Sequence, residues 1–430
     1  MSYDAFKDES LAFDTKQLHA GYDPAEHFRA KAVPVYQTAA FELGDFDRCE
    51  RLFTYREEGF SYVRYANPTN DVLEKRIAAL EGGAAAVSFG SGMAAISSVF
   101  LNLARSGDEI AAVKTLYGGS TTLLSKILPD YGLRAKWVEE GDDPESFRRA
   151  IGERTKAVFI ESLGNPGMNV LDIEAIARIA HEKGIPLIVD NTFATPYLLR
   201  PFEFGADIVI HSATKYIGGH GTTIGGLAVE KGGFDWLGGK FPQFKEIYDE
   251  MAKTLAPEAF QGTLFTRRLR SRFLSDLGAH LSPMSAFLLL QGLETLSLRM
   301  RRQVDNAEAI AVFLSGHPAV LEVSHPSLPA SPYHELARKY LPRGAGAILS
   351  FRLKGGLEAA KGVLARVRIF DYMVNVGDAK SMITHPATST HFGLSPAEML
   401  QAGVYEDSLR LSVGTEDPGD LINDLRQALA

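Results

Sequence analysis

A regular alternation of short β-branched runs with helix-length segments, between residues 70 and 214, constrains the fold of this 430-residue chain more than any other feature. Strands that alternate with helices of this length predict a mostly parallel sheet with helices on both of its faces. The predicted fold class is therefore α/β. The strands are expected at 84–89, 109–113, 135–138, 157–160, 186–189 and 207–210.

Capping residues mark the helices between these strands. The segment 71–80 is apolar on one side and is followed by Gly82 and Gly83, which predicts a helix that stops at the glycines. Asp172 precedes a second helical segment and Gly184 follows it. We therefore expect Asp172 to be the N-cap and Gly184 the C′ residue of that helix.

The chain changes character on both sides of this segment. Residues 1–60 lack periodicity and mix glycine, proline and aromatic residues, so we expect an arm that lies over a second subunit. Residues 61–282 form the predicted large domain, with a Gly-rich surface insertion at 231–240. Residues 283–430 are predicted to form a smaller α+β domain, which a long helical region over 283–314 bridges to the first. Its strands and closing helix are expected at 347–353, 372–376 and 409–413, and after Asp417-Pro418.

Composition excludes several classes of protein. The net charge is -8 and the longest basic run is the patch 299–302, so the chain lacks the cationic face that a nucleic acid needs. Cys49 is the single cysteine, which rules out an intrachain disulfide and favours a reducing compartment. We find neither the apolar segment of a secretory signal nor an apolar run of membrane-spanning length. We therefore expect a cytoplasmic protein that binds neither nucleic acid nor membrane.

Two of the predicted strands end in polar residues that are suited to catalysis. Asp190 closes one strand, and Lys215 follows the next in the run Ser212-Ala-Thr214-Lys215. Because the carboxyl ends of parallel strands meet at one edge of a sheet, an acid and an amine come together there. Pyridoxal phosphate (PLP) chemistry needs this pair: the amine binds the cofactor aldehyde, and the acid keeps the pyridine nitrogen protonated. A surface lysine is the commoner alternative, but Ser212, Thr214 and the Gly-rich turn behind Lys215 argue against it.

A Gly-rich turn at 89–95 links a predicted strand to a helix. Backbone N–H groups at such a helix N-terminus form a cup for a phosphate. The spacing Gly90-x-Gly92-x-x-Ala95 also matches a dinucleotide fingerprint, which requires an acid at the end of the following strand. Here Asp108 and Glu109 precede that strand, so the oxidoreductase alternative is disfavoured.

Other polar side chains are candidates for contacts with a cofactor and its substrate. Tyr117 follows a strand at the same sheet edge and could stack on a flat ring, although a tyrosine that plugs a loop is an equal alternative. Arg64, which lies beside Tyr62 in a predicted loop, has a guanidinium that fits a phosphate bidentately. Arg410 alternates with apolar residues in a strand, where it either clamps a substrate carboxylate or is solvated. The histidines lack metal-ligand spacing, so no metal site is expected and we interpret them as structural: His211, His220, His385 and His391.

Together these residues resemble the Cys/Met-metabolism family of PLP-dependent, fold-type I enzymes, which includes cystathionine synthases and lyases, methionine γ-lyase and the homoserine-ester sulfhydrylases. The matching motifs run from Tyr62 to the C-terminus. The most specific are Ser212-Ala-Thr-Lys215 and the segment 62–69, with the pattern Tyr-x-Arg-x-x-Asn-Pro-Thr. The resemblance implies PLP as the cofactor and a homotetramer built as a dimer of dimers with shared active sites.

The resemblance also implies a role for each matching residue. Lys215 would bind the cofactor aldehyde and act as the catalytic base, Asp190 would hold the pyridine nitrogen, and Tyr117 would stack on the ring. The other cofactor-binding residues would be Gly92, Met93, Ser212 and Thr214 at the phosphate, Tyr62 and Arg64 from a neighbouring subunit, and Asn165 and Thr192 beside the ring. The substrate would be held by Arg410, Asn375 and Asn165.

Within the family, three segments resemble the O-acetylhomoserine sulfhydrylases: 161–166, 234–236 and 375–381. The lyases usually carry Ser-Leu-Gly where this chain has Asn375-Val-Gly, whereas 56–59 departs from the commoner sulfhydrylase sequence. The resemblance implies a γ-replacement that converts O-acetyl-L-homoserine and sulfide to L-homocysteine and acetate, as in methionine biosynthesis. The alternatives are methionine γ-lyase, cystathionine γ-synthase or γ-lyase, and O-succinylhomoserine sulfhydrylase. A non-enzymatic scaffold of the same fold is disfavoured by Lys215, Asp190 and Arg410.

Overall fold

The computed structural model describes residues 10–260, 262–393, 395, 399–400 and 403–430. In chain order its strands are β1 Ala85–Phe89, β2 Glu109–Val113, β3 Arg134–Val138, β4 Thr155–Glu161, β5 Leu187–Asp190, β6 Ile208–Ser212, β7 Gly226–Glu230, β8 Val320–Ser324, β9 Ile348–Leu353, β10 Asp371–Tyr372, β11 Met382–Thr384 and β12 Ser408–Ser412. They form a seven-stranded sheet in the order β1-β7-β6-β5-β4-β2-β3 and a five-stranded sheet in the order β10-β11-β12-β9-β8.

Helices separate most of these strands. They are α1 Phe13–His19, α2 Phe46–Phe53, α3 Pro68–Glu81, α4 Gly92–Leu103, α5 Gly118–Thr122, α6 Pro144–Ala150, α7 Ile173–Glu182, α8 Thr195–Leu198, α9 Pro242–Met251, α10 Leu264–Arg268, α11 Ser275–Leu277, α12 Pro283–Leu293, α13 Leu296–Ser315, α14 His334–Tyr340, α15 Gly356–Arg366 and a C-terminal helix Pro418–Leu429. Wider π-helical turns occupy Leu123–Ile127 and Leu269–Leu274. No helix in these described ranges is both long and apolar enough to cross a membrane.

The seven-stranded sheet confirms the prediction of a mostly parallel sheet. Strands β2 to β6 pair in parallel, whereas β7 runs antiparallel to both β6 and β1. Strand β7 was not among the predicted strands. It follows β6 after a Gly-rich turn, without an intervening helix, so it lacks the alternating pattern on which the other strands were predicted.

The predicted helix caps are confirmed. Asp172 accepts a hydrogen bond from the backbone N–H of Ala175 at 3.3 Å, and Gly184 follows the helix at a φ of 65°. The other helix ends at Gly82, whose φ is 78°, a left-handed conformation that glycine adopts without steric cost. This helix, α3, begins at Pro68, three positions before its predicted start at 71.

Two predictions for the C-terminal part are wrong in detail. The helical region expected over 283–314 consists of two helices, α12 and α13, because the helix is interrupted by a turn at Glu294 and Thr295. In place of the strand expected over 372–376, the structure has the two-residue strand Asp371–Tyr372, which shares only Tyr372 with the prediction. Beyond it the chain leaves the sheet and approaches Lys215, where a Cβ on Gly377 would lie 2.6 Å from the backbone nitrogen of Tyr216.

Each sheet has its own buried apolar cluster, and α13 contributes to both. Leu296 and Met300, in its first half, belong to the cluster of the seven-stranded sheet. Ile310 and Leu314, in its second half, belong to the cluster of the five-stranded sheet. The domain boundary expected at residue 283 stays a prediction. Helix α12, which begins there, packs with the apolar cluster of the seven-stranded sheet.

The insertion at 231–240 is not wholly a surface feature. Trp236 is 4% exposed and its ring lies 4.8 Å from that of Phe244 and 5.2 Å from that of Phe265. Its indole N–H donates to Glu230 at 3.0 Å. The prediction of a surface insertion is therefore wrong for this aromatic residue, which anchors the glycine-rich turn in the core.

Candidate active site

The candidate site lies at the carboxyl edge of the seven-stranded sheet. Strands β4, β5 and β6 run in parallel and end there at Glu161, Asp190 and Ser212. Helix α4 begins at the same edge, because Ser91 is its N-cap and accepts from the backbone N–H of Ala94 at 3.0 Å. The edge therefore combines two carboxylates, a hydroxyl and the amides at the start of a helix.

Lys215 lies in the turn after β6 and is partly buried. Its backbone N–H donates to the carbonyl of Ser212 at 3.1 Å, and its Nζ donates to Oδ1 of Asn375 at 2.6 Å. Burial, together with the charge of Arg410, lowers the pKa of Lys215 to about 8. The amine therefore loses its proton far more readily than a surface lysine, as a nucleophile or a general base requires.

The carboxylate of Asp190 is held by Thr192. Oδ1 of Asp190 accepts from the backbone N–H of Thr192 at 3.0 Å and from its hydroxyl at 2.5 Å. The same hydroxyl accepts from the backbone N–H of Ser212 at 2.8 Å, so it joins the ends of β5 and β6. Burial raises the pKa of Asp190, while the hydrogen bonds from Thr192 act in the opposite direction.

The start of α4 packs directly against the end of β6, and this close approach requires glycine at position 92. A Cβ on Gly92 would lie 2.7 Å from the Cβ of Ser212, so only glycine lets the first amides of the helix lie beside the Ser212 side chain. Met93 continues the first turn of the helix. Thr214 stands opposite, where its hydroxyl accepts from the N–H of Gly225 at 3.0 Å. Amides at a helix N-terminus beside hydroxyl groups suit a phosphate.

Arg410 is buried in the middle of β12, with 3% of its surface exposed. Its Nη1 donates to Oδ1 of Asn165 at 2.9 Å, and its Nη2 donates to the carbonyl of Asn375 at 3.3 Å. Its Nε has no hydrogen-bond partner, and no carboxylate in the described ranges pairs with the guanidinium. The solvated alternative for this residue is therefore wrong. A buried guanidinium without a counter-ion is suited to bind a carboxylate from outside the chain.

Tyr117 lies at the N-terminus of α5 with 44% of its surface exposed. Its backbone N–H donates to Oε1 of Glu161 at 2.6 Å. The alternative of a tyrosine that plugs a loop does not describe this exposed ring. The loop is fixed through its backbone, and the aromatic face remains accessible for stacking.

Tyr62 and Arg64 are not joined to the Lys215 group by any hydrogen bond in the described part of the chain. Arg64 Nε donates to the carbonyl of Ser275 at 2.8 Å, and its guanidinium lies 4.9 Å from the centre of the Tyr62 ring. Tyr62 is 38% exposed. Tyr62 pairs with Ala40 of the N-terminal arm, and Arg64 beside it is half-buried.

Sequence reasoning did not identify Glu161 as a site residue. It is 8% exposed, it bonds to the Tyr117 loop, and it lies in register with Asp190 on the neighbouring strand. A signal was available, because Glu161 ends its strand as Asp190 does. Another buried acid, Glu81, has its Oε1 2.6 Å from Nε2 of His211, the residue before Ser212 in β6.

Comparison with known proteins identifies the family. The family model described as "Cys/Met metabolism PLP-dependent enzyme" matches residues 14–430. The chain belongs to this family. Its cofactor is PLP, and the resemblance that the sequence motifs indicated is confirmed.

Relatives within the Cys/Met metabolism family match over almost their whole length. A homocysteine synthase of Schizosaccharomyces pombe is 47% identical and covers 98% of this chain and 99% of its own. An O-acetyl-L-homoserine sulfhydrylase of Leptospira meyeri is 43% identical and covers 99% of this chain and 97% of its own. A crystal structure from Campylobacter jejuni, described as an O-acetylhomoserine (thiol)-lyase and containing a pyridoxyl-lysine monophosphate, superposes with a TM-score of 0.92 at 40% identity, covering 97% of this chain and 100% of its own.

Proposed function

We propose that this protein is an O-acetyl-L-homoserine sulfhydrylase, which converts O-acetyl-L-homoserine and sulfide to L-homocysteine and acetate. The observation that carries the proposal is the link from the low-pKa amine of Lys215 through Asn375 to the unpaired Arg410. This arrangement places a base beside a carboxylate-binding cation, as an amino-acid substrate requires. The relatives named above are similar over nearly the full chain and support the choice of reaction.

The residues at the sheet edge fit PLP. We assign the cofactor aldehyde to Lys215 and the pyridine nitrogen to Asp190, whose carboxylate Thr192 holds in place. We assign the phosphate to the backbone amides of Gly92 and Met93 at the start of α4, with the hydroxyl groups of Ser212 and Thr214 beside them. When bound, the cofactor supplies an electron sink for negative charge at the substrate α-carbon. Asn165 and the ring of Tyr117 complete the surroundings.

Lys215 moves protons in this proposal. Its Nζ removes the proton from the substrate α-carbon, and a further proton loss from the β-carbon allows acetate to leave from the γ-carbon. Sulfide then forms the new bond to the γ-carbon, and protons return to the β- and α-carbons to give homocysteine. The oxygen of Asn375, 2.6 Å from Nζ, aims the amine during these transfers.

Arg410 binds the substrate carboxylate. Asn165 and Asn375 already direct its two terminal nitrogens, so little rearrangement is needed when a carboxylate enters. This contact holds the α-carbon of the substrate near the base.

The proposal includes a shared site. In the described ranges, Arg64 bonds to the Ser275 carbonyl and lies over the Tyr62 ring, with no hydrogen bond to its own Lys215 group, which supports the use of both residues at the phosphate in a second chain. We propose a homotetramer of two such dimers, located in the cytoplasm, with residues 61–282 as the cofactor domain and 283–430 as the bridging helices and C-terminal domain.

One experiment tests the reaction. Purified holoenzyme is incubated with O-acetyl-, O-succinyl- or O-phospho-L-homoserine, each with and without sulfide, and the products are identified by mass spectrometry. The proposal expects homocysteine from the acetyl ester and sulfide. Formation of a keto acid without sulfide would identify a γ-lyase instead, and preference for the succinyl ester would identify a different sulfhydrylase. In a parallel incubation with cysteine in place of sulfide, formation of cystathionine would identify a cystathionine γ-synthase.

A further inference from the structure

Two acids, one buried and one half-buried, stand side by side at the sheet edge, and the mechanism above uses one of them. Glu161 and Asp190 are in register on the parallel strands β4 and β5. Glu161 is 8% exposed. No lysine, arginine or histidine in the described ranges forms an ion pair with either carboxylate, although His211 favours the ionised form of Asp190 electrostatically. Two neighbouring carboxylates without a cation between them do not both carry a charge in a dry site.

The surroundings of the two acids, above all their hydrogen bonds and burial, decide which one is charged. Asp190 receives two hydrogen bonds on one oxygen, from the N–H and the hydroxyl of Thr192, and both stabilise its ionised form. Glu161 receives one, from the backbone N–H of Tyr117 at 2.6 Å. Burial, with the charge of Asp190 added, raises the pKa of Glu161 well above its ordinary value. The proton of the pair therefore belongs on Glu161.

Glu161 also connects the two elements that flank the candidate ring site. Its backbone ends the strand next to Asp190, and its side chain accepts from the residue that begins α5. In the part of the chain that the structure describes, the backbone of Tyr117 is otherwise held only by its own short helix, where the N–H and the hydroxyl of Thr121 donate to the Tyr117 carbonyl at 3.1 and 3.5 Å.

We propose that Glu161 is a positioning residue, which holds the Tyr117 loop against the sheet edge in its neutral form and leaves the negative charge of the acid pair on Asp190. The inference deepens the proposed function, because it rests on Tyr117 and Asp190 lying at the cofactor ring. A neutral Glu161 lets Asp190 interact with the ring nitrogen as a full anion instead of sharing a proton with its neighbour.

Two substitutions of matched size test this proposal. Glu161→Gln and Glu161→Met are both uncharged and of similar length, but only glutamine can accept a hydrogen bond from the N–H of Tyr117. The readouts are the circular dichroism of the visible cofactor band, which reports how the ring is held, and kcat and KM. Asp190→Asn serves as the reference for an acid whose charge is required. Thermal unfolding of each apoprotein verifies the fold.

Glu161→Gln is expected to keep the visible dichroism and kcat/KM within about twofold of the parent, while Glu161→Met loses dichroic amplitude and about tenfold in kcat/KM. Asp190→Asn should lose far more activity than Glu161→Gln. Equal losses for glutamine and methionine would overturn the proposal, since a charge on Glu161 would then be needed. An unchanged methionine variant would overturn the positioning role. The dichroism requires only bound PLP, so absence of sulfhydrylase activity in the parent would refute the proposed function and leave this test intact.

Discussion

The two parts of the candidate site differ in how far one chain completes them. The part around Lys215 and Asp190 is joined by hydrogen bonds that cross from strand end to strand end and reach the second sheet through Asn375. The part around Tyr62 and Arg64 has no hydrogen bond to that group in the described ranges and lies next to an arm in which Phe28 is 97% and Phe46 is 83% exposed.

The difference has a physical origin. Parallel strands bring their carboxyl ends together whenever the sheet forms, so folding of one chain assembles the first part. An arm has no such constraint, and aromatic side chains exposed to this extent gain free energy by burial against another surface. We therefore expect substitutions in the first part to act within one chain, and substitutions in the second part to act across an interface.

Lys215→Ala should have the largest effect. It removes the amine that binds the cofactor and moves the protons, so turnover should fall on the order of 10^4-fold. The variant should still take up PLP through the phosphate contacts, but without the visible band that borohydride abolishes in the parent. Absorption spectra before and after borohydride check this. A parent protein that stays colourless with added PLP would contradict every assignment in this part of the site.

Asp190→Asn should follow, with a loss in kcat on the order of 100-fold. The amide keeps the shape of the side chain but does not hold a proton on the ring nitrogen, so turnover should suffer far more than cofactor affinity. Steady-state rates and a PLP titration of the apoprotein measure both quantities. Near-normal turnover would show that Asp190 is misassigned.

Arg410→Ala should raise KM for the amino-acid substrate at least roughly 30-fold. This corresponds to a loss of about 2 kcal/mol of binding free energy, because a charge-assisted contact in a buried site is lost. Arg352 provides a matched control. It lies on the neighbouring strand β9, where it pairs with Asp407 at 2.9 Å. Arg352→Ala should leave KM unchanged. If both variants and the parent have the same KM, the assignment of Arg410 to the substrate carboxylate is contradicted.

A mixture of Arg64→Ala and Lys215→Ala chains tests the other part of the comparison. Each variant alone should be nearly inactive. If Arg64 serves the partner's cofactor, a mixed dimer places both changes in one site and leaves the other intact. Re-associated mixtures should then regain up to about half of the parent activity per mixed dimer. No recovery, despite subunit exchange shown by mass spectrometry, would mean that Arg64 acts within its own chain.

The smallest predicted effect concerns pH. Burial and the charge of Arg410 lower the pKa of Lys215 from 10.5 to about 8, so its neutral form becomes abundant as the pH rises through that value. The rate at which the apoprotein attaches PLP should therefore increase with pH and level off above about 8. Stopped-flow absorption measures this rate. A rate that still rises steeply at pH 10 would show that the amine is not shifted.

Much of the fold follows from local sequence. The bounds predicted for β2, 109–113, are those observed, and Asp172 and Gly184 cap their helix as expected. Caps and strand runs depend on residues a few positions apart, so the chain reveals them directly. The same reasoning missed β7, and it joined α12 to α13 across Glu294, because pairing direction and the approach of distant segments leave no local pattern.

The chain alone indicated an acid and an amine at one sheet edge, and its motifs indicated the family. Tertiary structure decided how these groups are tuned. Lys215 meets Asn375, 160 positions away, and Arg410 meets Asn165, 245 positions away, across the boundary between the two sheets. These contacts, and the register that sets Glu161 beside Asp190, exist only when distant elements pack. Burial in that packed interior shifts the pKa values of Lys215 and Glu161 from their ordinary range. No short stretch of sequence reveals this burial, because it depends on residues that are distant in the chain.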